Sequence, residues 1–468
     1  MTSKEISVNF YIAVAKQLMK AIPGFFGMAL PDNLRYTAFS HQTDYKVVTV
    51  KLSAFGQKFA GQSGIVSLME DLGTALSDNP DILFMGGGNP ARIKPVEDIF
   101  RQRLQAILDD PDKCHGLLGT YQAHQGDKAF MEQVADFLNR QFGWNLSWRN
   151  IAVSNGSQPA FFVLYNMFAG QMADGSQRTI HLPLAPEYLG YADAGLSDDF
   201  YTATRPTIEY LDDNLFKYHV DFSKLKLGDS TGALCVSRPT NPTGNVLTDD
   251  EVEHLDAMAK AADIPLIIDG AYGLPFPGII FTDARPLWND NIVLMLSLSK
   301  LGLPGARTGI IVAREEIINA FANATTIVNL SCGTLGPALM KGFFEGDEFL
   351  DMCRTHITPF YRDRAMAATQ WCREDMQGLP FHIHKPEGAI FLWLWFEGLP
   401  ITSQELYERL KTRGVLIIPG QNFFVGLRDD WRHKHECIRM SYAQDEKTVR
   451  EGIRIIAEEV RSLYETEA

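Results

Sequence analysis

Short apolar runs alternate along the chain with longer stretches in which apolar residues recur every three or four positions. The runs at 150–154, 178–182, 232–237, 265–269, 292–296 and 309–313 show little alternation with polar residues. Such runs are expected of strands covered by helices on both faces. Between them, segment 249–263 carries Val252, Leu255, Met258 and Ala259 at helical spacing, with Asp249 as the expected N-cap. The alternation predicts an α/β domain on a mainly parallel sheet, with ligands collected at the carboxyl ends of its strands.

After about Asp347 the pattern changes. A helical stretch at 356–376 is followed by an apolar run at 389–396, a helix at 403–413, strands at 415–418 and 437–442, and a charged terminal helix. This reads as a smaller α+β domain. Residues 1–52 carry no motif and are expected to be an N-terminal extension of unknown role. Within them, Lys16, Lys20 and Pro23 interrupt the apolar stretch at 11–30, which therefore does not read as a secretory signal.

Composition narrows the function classes. The 43 Lys and Arg against 57 Asp and Glu give a formal charge of −14, which argues against a nucleic-acid-binding surface. The six cysteines are scattered without metal-ligand spacing, so free thiols in a reducing cytoplasm and no metal site are expected. No apolar run has transmembrane length, and no membrane association is expected.

Four motifs carry chemistry. Ser297-Leu-Ser-Lys300 follows an apolar strand and precedes Pro304-Gly-Ala-Arg307. Burial there would make the Lys300 amine a nucleophile, with serine and arginine donors at hand for a phosphate. Asp269-Gly-Ala-Tyr272 ends another strand, where a carboxylate can keep a ring nitrogen protonated and a phenol can donate to a ring oxygen. Pro239-Thr-Asn241-Pro-Thr-Gly244 is a rigid turn that fixes the direction of the Asn241 amide. Gly156-Ser157-Gln158 opens a helix that Ser157 can cap, and its free N–H groups suit an anion.

In this order and spacing the motifs resemble the fold-type-I pyridoxal-phosphate aminotransferases, from about residue 53 to the end. The resemblance implies an α/β large domain over 96–345, a small domain over 346–468, and an arm with part of the small domain over 53–95. It implies pyridoxal 5'-phosphate carried covalently by Lys300, which also moves the substrate proton. By the same resemblance, Asp269 is expected to face the ring nitrogen, Tyr272 and Asn241 the ring oxygen, and Tyr188 the ring face. Ser297, Arg307 and the Gly156-Ser157-Gln158 helix start face the phosphate.

Tyr121 resembles the tyrosine that reaches the phosphate from the neighbouring subunit, which implies a homodimer. Arg439, in Cys437-Ile-Arg-Met-Ser-Tyr442, resembles the arginine that grips the substrate carboxylate, with Asn241 and Gly88 beside the substrate. The stretches at 183–191, 385–396 and 419–424 are similar to the valine–pyruvate aminotransferase family. That likeness implies amino acids and 2-oxo acids as partners and ping-pong transfer. The same scaffold also carries broad or aromatic aminotransferases and C–S lyases. A cofactor-sensing transcriptional regulator is the remote alternative.

Overall fold

The consecutive apolar runs become strands of one eight-stranded sheet in the computed structural model, which describes residues 51–60, 64–79 and 81–467. The expectations for residues 1–50 lie outside the described residues. The chain divides into Met1–Ser53 and Ala54–Ala468, and the architecture here is that of the second unit.

The sheet runs in the order Ile151–Ser154, Gly309–Val312, Ile292–Ser297, Leu266–Asp269, Thr231–Ser237, Gln177–Leu182, Gly170–Gln171, with Tyr201–Ala203 also on Gln177–Leu182. The four strands Gln177–Leu182, Thr231–Ser237, Leu266–Asp269 and Ile292–Ser297 are joined in parallel. Gly309–Val312 instead lies antiparallel to both neighbours. The link from Ser297 holds only two 3₁₀ turns, too little for the helical crossover that a parallel return needs. The consequence is chemical. Asp269 pairs with Ser237, Ser297 with Gly309, and Gly309 with Ser154. One edge of the sheet therefore gathers Ser154, Ser237, Asp269, Ser297 and the residues just before Gly309.

A six-stranded sheet runs Ile418–Pro419, Cys437–Ser441, Phe391–Phe396, Phe381–His384, Leu215–His219, Thr207–Tyr210. Its last two strands form a hairpin drawn from the middle of the chain. Leu83–Phe84 pairs in parallel with Val415–Leu416 and delivers the Gly86–Gly88 turn beside the second sheet. The terminal helix is Glu446–Glu467.

Local corrections concern helix starts. Helix Asp249–Ala261 is capped by Thr248, not Asp249. Thr248 Oγ1 accepts from Glu251 N at 3.1 Å while Glu251 Oε2 accepts from Thr248 N at 2.8 Å. A threonine three residues before a glutamate closes this reciprocal box, and Asp249 is left to bind Arg238 Nη2 at 2.6 Å. Helix Ser157–Phe168 has Gly156 as its N-cap and no side-chain cap. The stretch expected to begin near His356 begins earlier, as Glu348–Met352, and passes through a π-helical turn at Cys353–Ile357 into Thr358–Asp375.

Candidate active site

A cavity of about 620 Å³ lies where the carboxyl edge of the large sheet meets the Gly86–Gly88 turn and the second sheet. Ser157, Gln158, Tyr188, Asn241, Asp269, Tyr272, Ser297, Lys300, Arg307, Arg439 and Gly88 all line it. Gly156 sits behind Arg307, and Tyr121 is outside the cavity, 81% exposed.

Lys300 emerges three residues beyond the last strand residue, Ser297, in the 3₁₀ turn Ser299–Leu301. Its Nζ donates to the Gly88 carbonyl and lies 4.9 Å from the centroid of the Tyr272 ring. Burial pushes its pKa down to about 8. The Arg439 and Arg307 cations act in the same direction, and the Asp269 anion opposes them. A lysine in this range supplies neutral amine near neutral pH.

Asp269 is buried, and each carboxylate oxygen already has one donor. Tyr191 Oη donates to Oδ2 at 2.7 Å and Ala271 N to Oδ1 at 3.0 Å. Burial raises its pKa, while these donors and the Lys300 charge pull it back. Buried Tyr272 packs edge-on against Phe391, with centroids 5.9 Å apart. Burial raises the pKa of its phenol, which keeps it a donor.

The opposite end carries groups that suit an anion. Gly156 has φ 102°, a backbone conformation that favours glycine, and a Cβ there would collide with the Arg307 guanidinium. Arg307 is held in the left-handed region at φ 44°. With no side-chain cap, the first N–H groups of helix Ser157–Phe168 remain available. Ser297 Oγ accepts from Ser299 N at 3.1 Å, and both serines line the cavity. Gln158 Nε2 donates to Gly190 O at 2.7 Å, and its Oε1 is buried without a partner.

Arg439 enters from the second sheet. Only 4% exposed, it is flanked by the rings of Phe391 at 4.0 Å and Phe423 at 5.0 Å. Nη1 donates to Asn241 Oδ1 at 2.8 Å and Nη2 to Gly86 O at 2.6 Å, while Nε has no partner. Burial lowers its pKa to about 10, so it stays cationic at neutral pH. A buried guanidinium with an unsatisfied N–H is chemically suited to pairing with a carboxylate.

The comparisons with known proteins give the family. The family model for aminotransferase class I and II matches residues 95–456. The chain belongs to this family. It is 51% identical over 412 residues to the valine–pyruvate aminotransferase of Escherichia coli K12, covering 88% of this chain and 98% of that one. Among solved structures, a putative amino-acid aminotransferase from Psychrobacter arcticum 273-4 superposes with TM-score 0.87 at 45% identity, covering 89% and 99% of the two chains. The valine–pyruvate aminotransferase of Salmonella typhimurium LT2 gives TM-score 0.80 at 47% identity, covering 86% of this chain and all of that one, 100%.

Within this aminotransferase, several lining residues carried no motif. Leu72, from helix Gly64–Asp78, forms an apolar wall with Phe84 and Ile418. Leu72 and Leu76 lie four apart, so helical spacing was the signal for a shared face, but not for what that face meets. Lys300, Arg307 and Arg439 are the only cationic residues lining the cavity among the described residues. Glu187, one residue before Tyr188, is buried and accepts from Ser237 N at 2.8 Å and from the Ser237 hydroxyl. Burial pushes its pKa up to about 8.

Proposed function

We propose that this chain binds pyridoxal 5'-phosphate and transfers the amino group between valine and pyruvate, giving alanine and 3-methyl-2-oxobutanoate by a ping-pong mechanism. The observation that carries the reading is the convergence of Lys300, Asp269 and Arg439 on one cavity, with an anion cradle at its far end. The valine–pyruvate aminotransferases among its relatives support the choice of substrates.

The residues fit the cofactor. Arg307, Ser297 and the uncapped helix start would hold its phosphate, Asp269 its ring nitrogen, and Tyr272 with Asn241 its ring oxygen. Tyr188 would cover the ring, and Lys300 would hold it covalently. When bound, the cofactor supplies a carbonyl carbon for the amino group and a ring that takes up the electron pair left at Cα. Arg439 holds the substrate carboxylate through Nε and the free N–H positions of its Nη atoms. Lys300 removes the Cα proton of valine, and in the second half-reaction returns a proton to Cα of alanine. The anion of Asp269 keeps the ring nitrogen protonated. Leu72, Phe84 and Ile418 receive a small apolar side chain, and among the described residues no fourth cation lines the cavity to meet a second carboxylate.

The reading also comprises a cytoplasmic homodimer. All six cysteines are free thiols, which suits a reducing compartment. Exposed Tyr121, outside its own cavity, is assigned to the neighbouring subunit's phosphate end. No helix among the described residues is long and apolar enough to cross a membrane.

Incubating the cofactor-loaded protein with valine and pyruvate tests the substrates. The reading expects alanine and 3-methyl-2-oxobutanoate in equal amounts. No alanine from valine and pyruvate, with thiol, pyruvate and ammonia released instead from a cysteine S-conjugate, would indicate elimination chemistry.

A further inference from the structure

We propose that Tyr191 is a positioning residue for the reaction: its phenol holds Asp269 oriented and ionised, so that the proton between Asp269 and the cofactor ring resides on the ring. The inference rests on the cofactor reading above.

The geometry separates the hydroxyl from the ring that carries it. Tyr191 ends the 3₁₀ turn Leu189–Tyr191 and is fully buried. Phe161, Tyr165 and Tyr188 surround its ring at centroid distances of 5.1, 5.4 and 5.3 Å. Three aromatic neighbours fix where the ring points, and its Oη meets Asp269 Oδ2 at 2.7 Å. A phenylalanine would fill the same cage and lose only the donor.

A carboxylate has about four acceptor positions. Tyr191 and Ala271 N use two, one on each oxygen, and leave capacity for a third donor from the cavity. Burial alone raises the proton affinity of Asp269. The Tyr191 hydroxyl is the foremost group opposing it, ahead of Ala271 N–H and the Lys300 charge. A hydrogen bond donated to the ionised form favours that form. Without it, Asp269 becomes a better base and takes a larger share of the proton, and the ring becomes less cationic. Such a ring takes up the Cα electron pair less well. It also repels a proton on the Lys300 nitrogen less, so that nitrogen would deprotonate at higher pH.

The test titrates the visible absorbance of the bound cofactor with pH in the parent, in Tyr191→Phe and in Tyr165→Phe, and measures kcat and KM for valine. Tyr165 is the packing control, because its hydroxyl lies 3.2 Å from Cys235 Sγ instead of Asp269. Tyr191→Phe is expected to move the titration midpoint up by about half a unit or more and to lower kcat about tenfold. KM is expected to change less than kcat, and Tyr165→Phe to behave as the parent. Placing 3-fluorotyrosine at position 191, a stronger donor of nearly the same shape, moves the midpoint down and serves where the phenylalanine variant folds poorly. An unmoved midpoint in the Tyr191 variants, or equal shifts in the Tyr191→Phe and Tyr165→Phe proteins, overturns the proposal. A parent without cofactor absorbance overturns the cofactor reading as well, so the two failures are distinguishable.

Discussion

Arg439 Nη1 donates to Asn241 Oδ1 at 2.8 Å, which joins the cation of the second sheet to the turn that follows a strand of the first. The same bond sets the Asn241 amide, because an oxygen turned to Arg439 leaves the nitrogen for another acceptor in the cavity. Arg439→Ala is expected to lower kcat/KM for valine by about 2–5 kcal/mol, the loss found when one member of a buried charge pair is truncated. Arg439→Lys recovers only part of it, because an ammonium does not reproduce the planar fork. Steady-state kinetics check both. Parent-like kcat/KM in Arg439→Ala would remove the carboxylate clamp from the account.

Gly156 leaves room for Arg307 at the end of the cavity proposed to hold the phosphate. Gly156→Ala forces a side chain onto a positive φ and into the guanidinium, at a cost of about 1–3 kcal/mol for the backbone alone. The expected result is weaker cofactor affinity. It is measured by dilution of the loaded variant, with thermal stability of the cofactor-free protein as the comparison.

The wall of Leu72, Phe84 and Ile418 predicts how side chains are discriminated. Under the proposed reading, Leu72→Ala removes contacts that the branched side chain of valine would make and that alanine would barely reach. Its kcat/KM for valine falls by about 1–3 kcal/mol, the range for such contacts in an apolar pocket, and that for alanine falls less. Equal losses for both substrates would show that Leu72 does not touch the side chain.

Lys217 and Glu387 form a buried ion pair, with Lys217 Nζ also bonded to Asn245 Oδ1 at 2.8 Å and to Val246 O at 3.0 Å. The pair fastens the turn that carries Asn241 to the segment before Phe391. Lys217→Met leaves a buried carboxylate without that partner and is expected to destabilise the protein by about 3–5 kcal/mol. Burial alone would raise the Glu387 pKa, but Lys217 and Lys385 hold it below the ordinary 4.5. A depressed carboxylate pKa contributes stability that is present above 4.5 and lost as the pH falls through the folded value. The Tm difference between parent and Lys217→Met should therefore be full at neutral pH and shrink in acid.

Local patterning carried much of the fold. Strands such as Thr231–Ser237 and Ile292–Ser297 are buried throughout, and consecutive apolar residues signal that state directly. Candidate residues stand out in the sequence where they end such a strand or sit in the turn after it, as Asp269 and Lys300 do. Long-range relations were not legible. The Tyr191–Asp269 bond spans residues 78 apart in sequence, and a tyrosine in a loop gives no sign of its partner. The pairing of Leu215–His219 with Phe381–His384 is equally silent, because a hairpin shows its own register and not the sheet it joins. Helix Asp249–Ala261 was expected to be capped by Asp249, and Thr248 caps it instead. The spacing to Glu251 favours Thr248, a distinction that a general preference for aspartate obscures.

Lys300 is proposed as the group that moves the Cα proton during amino-group transfer. Single-turnover absorbance of the loaded protein mixed with valine, then with pyruvate, tests it most directly, with Lys300→Ala beside the parent. Valine is expected to convert the parent's cofactor spectrum and pyruvate to restore it. In Lys300→Ala both changes should be slowed by several orders of magnitude, with an external amine restoring part of the rate. Conversion and recovery at the parent's rates in Lys300→Ala would contradict this role for Lys300.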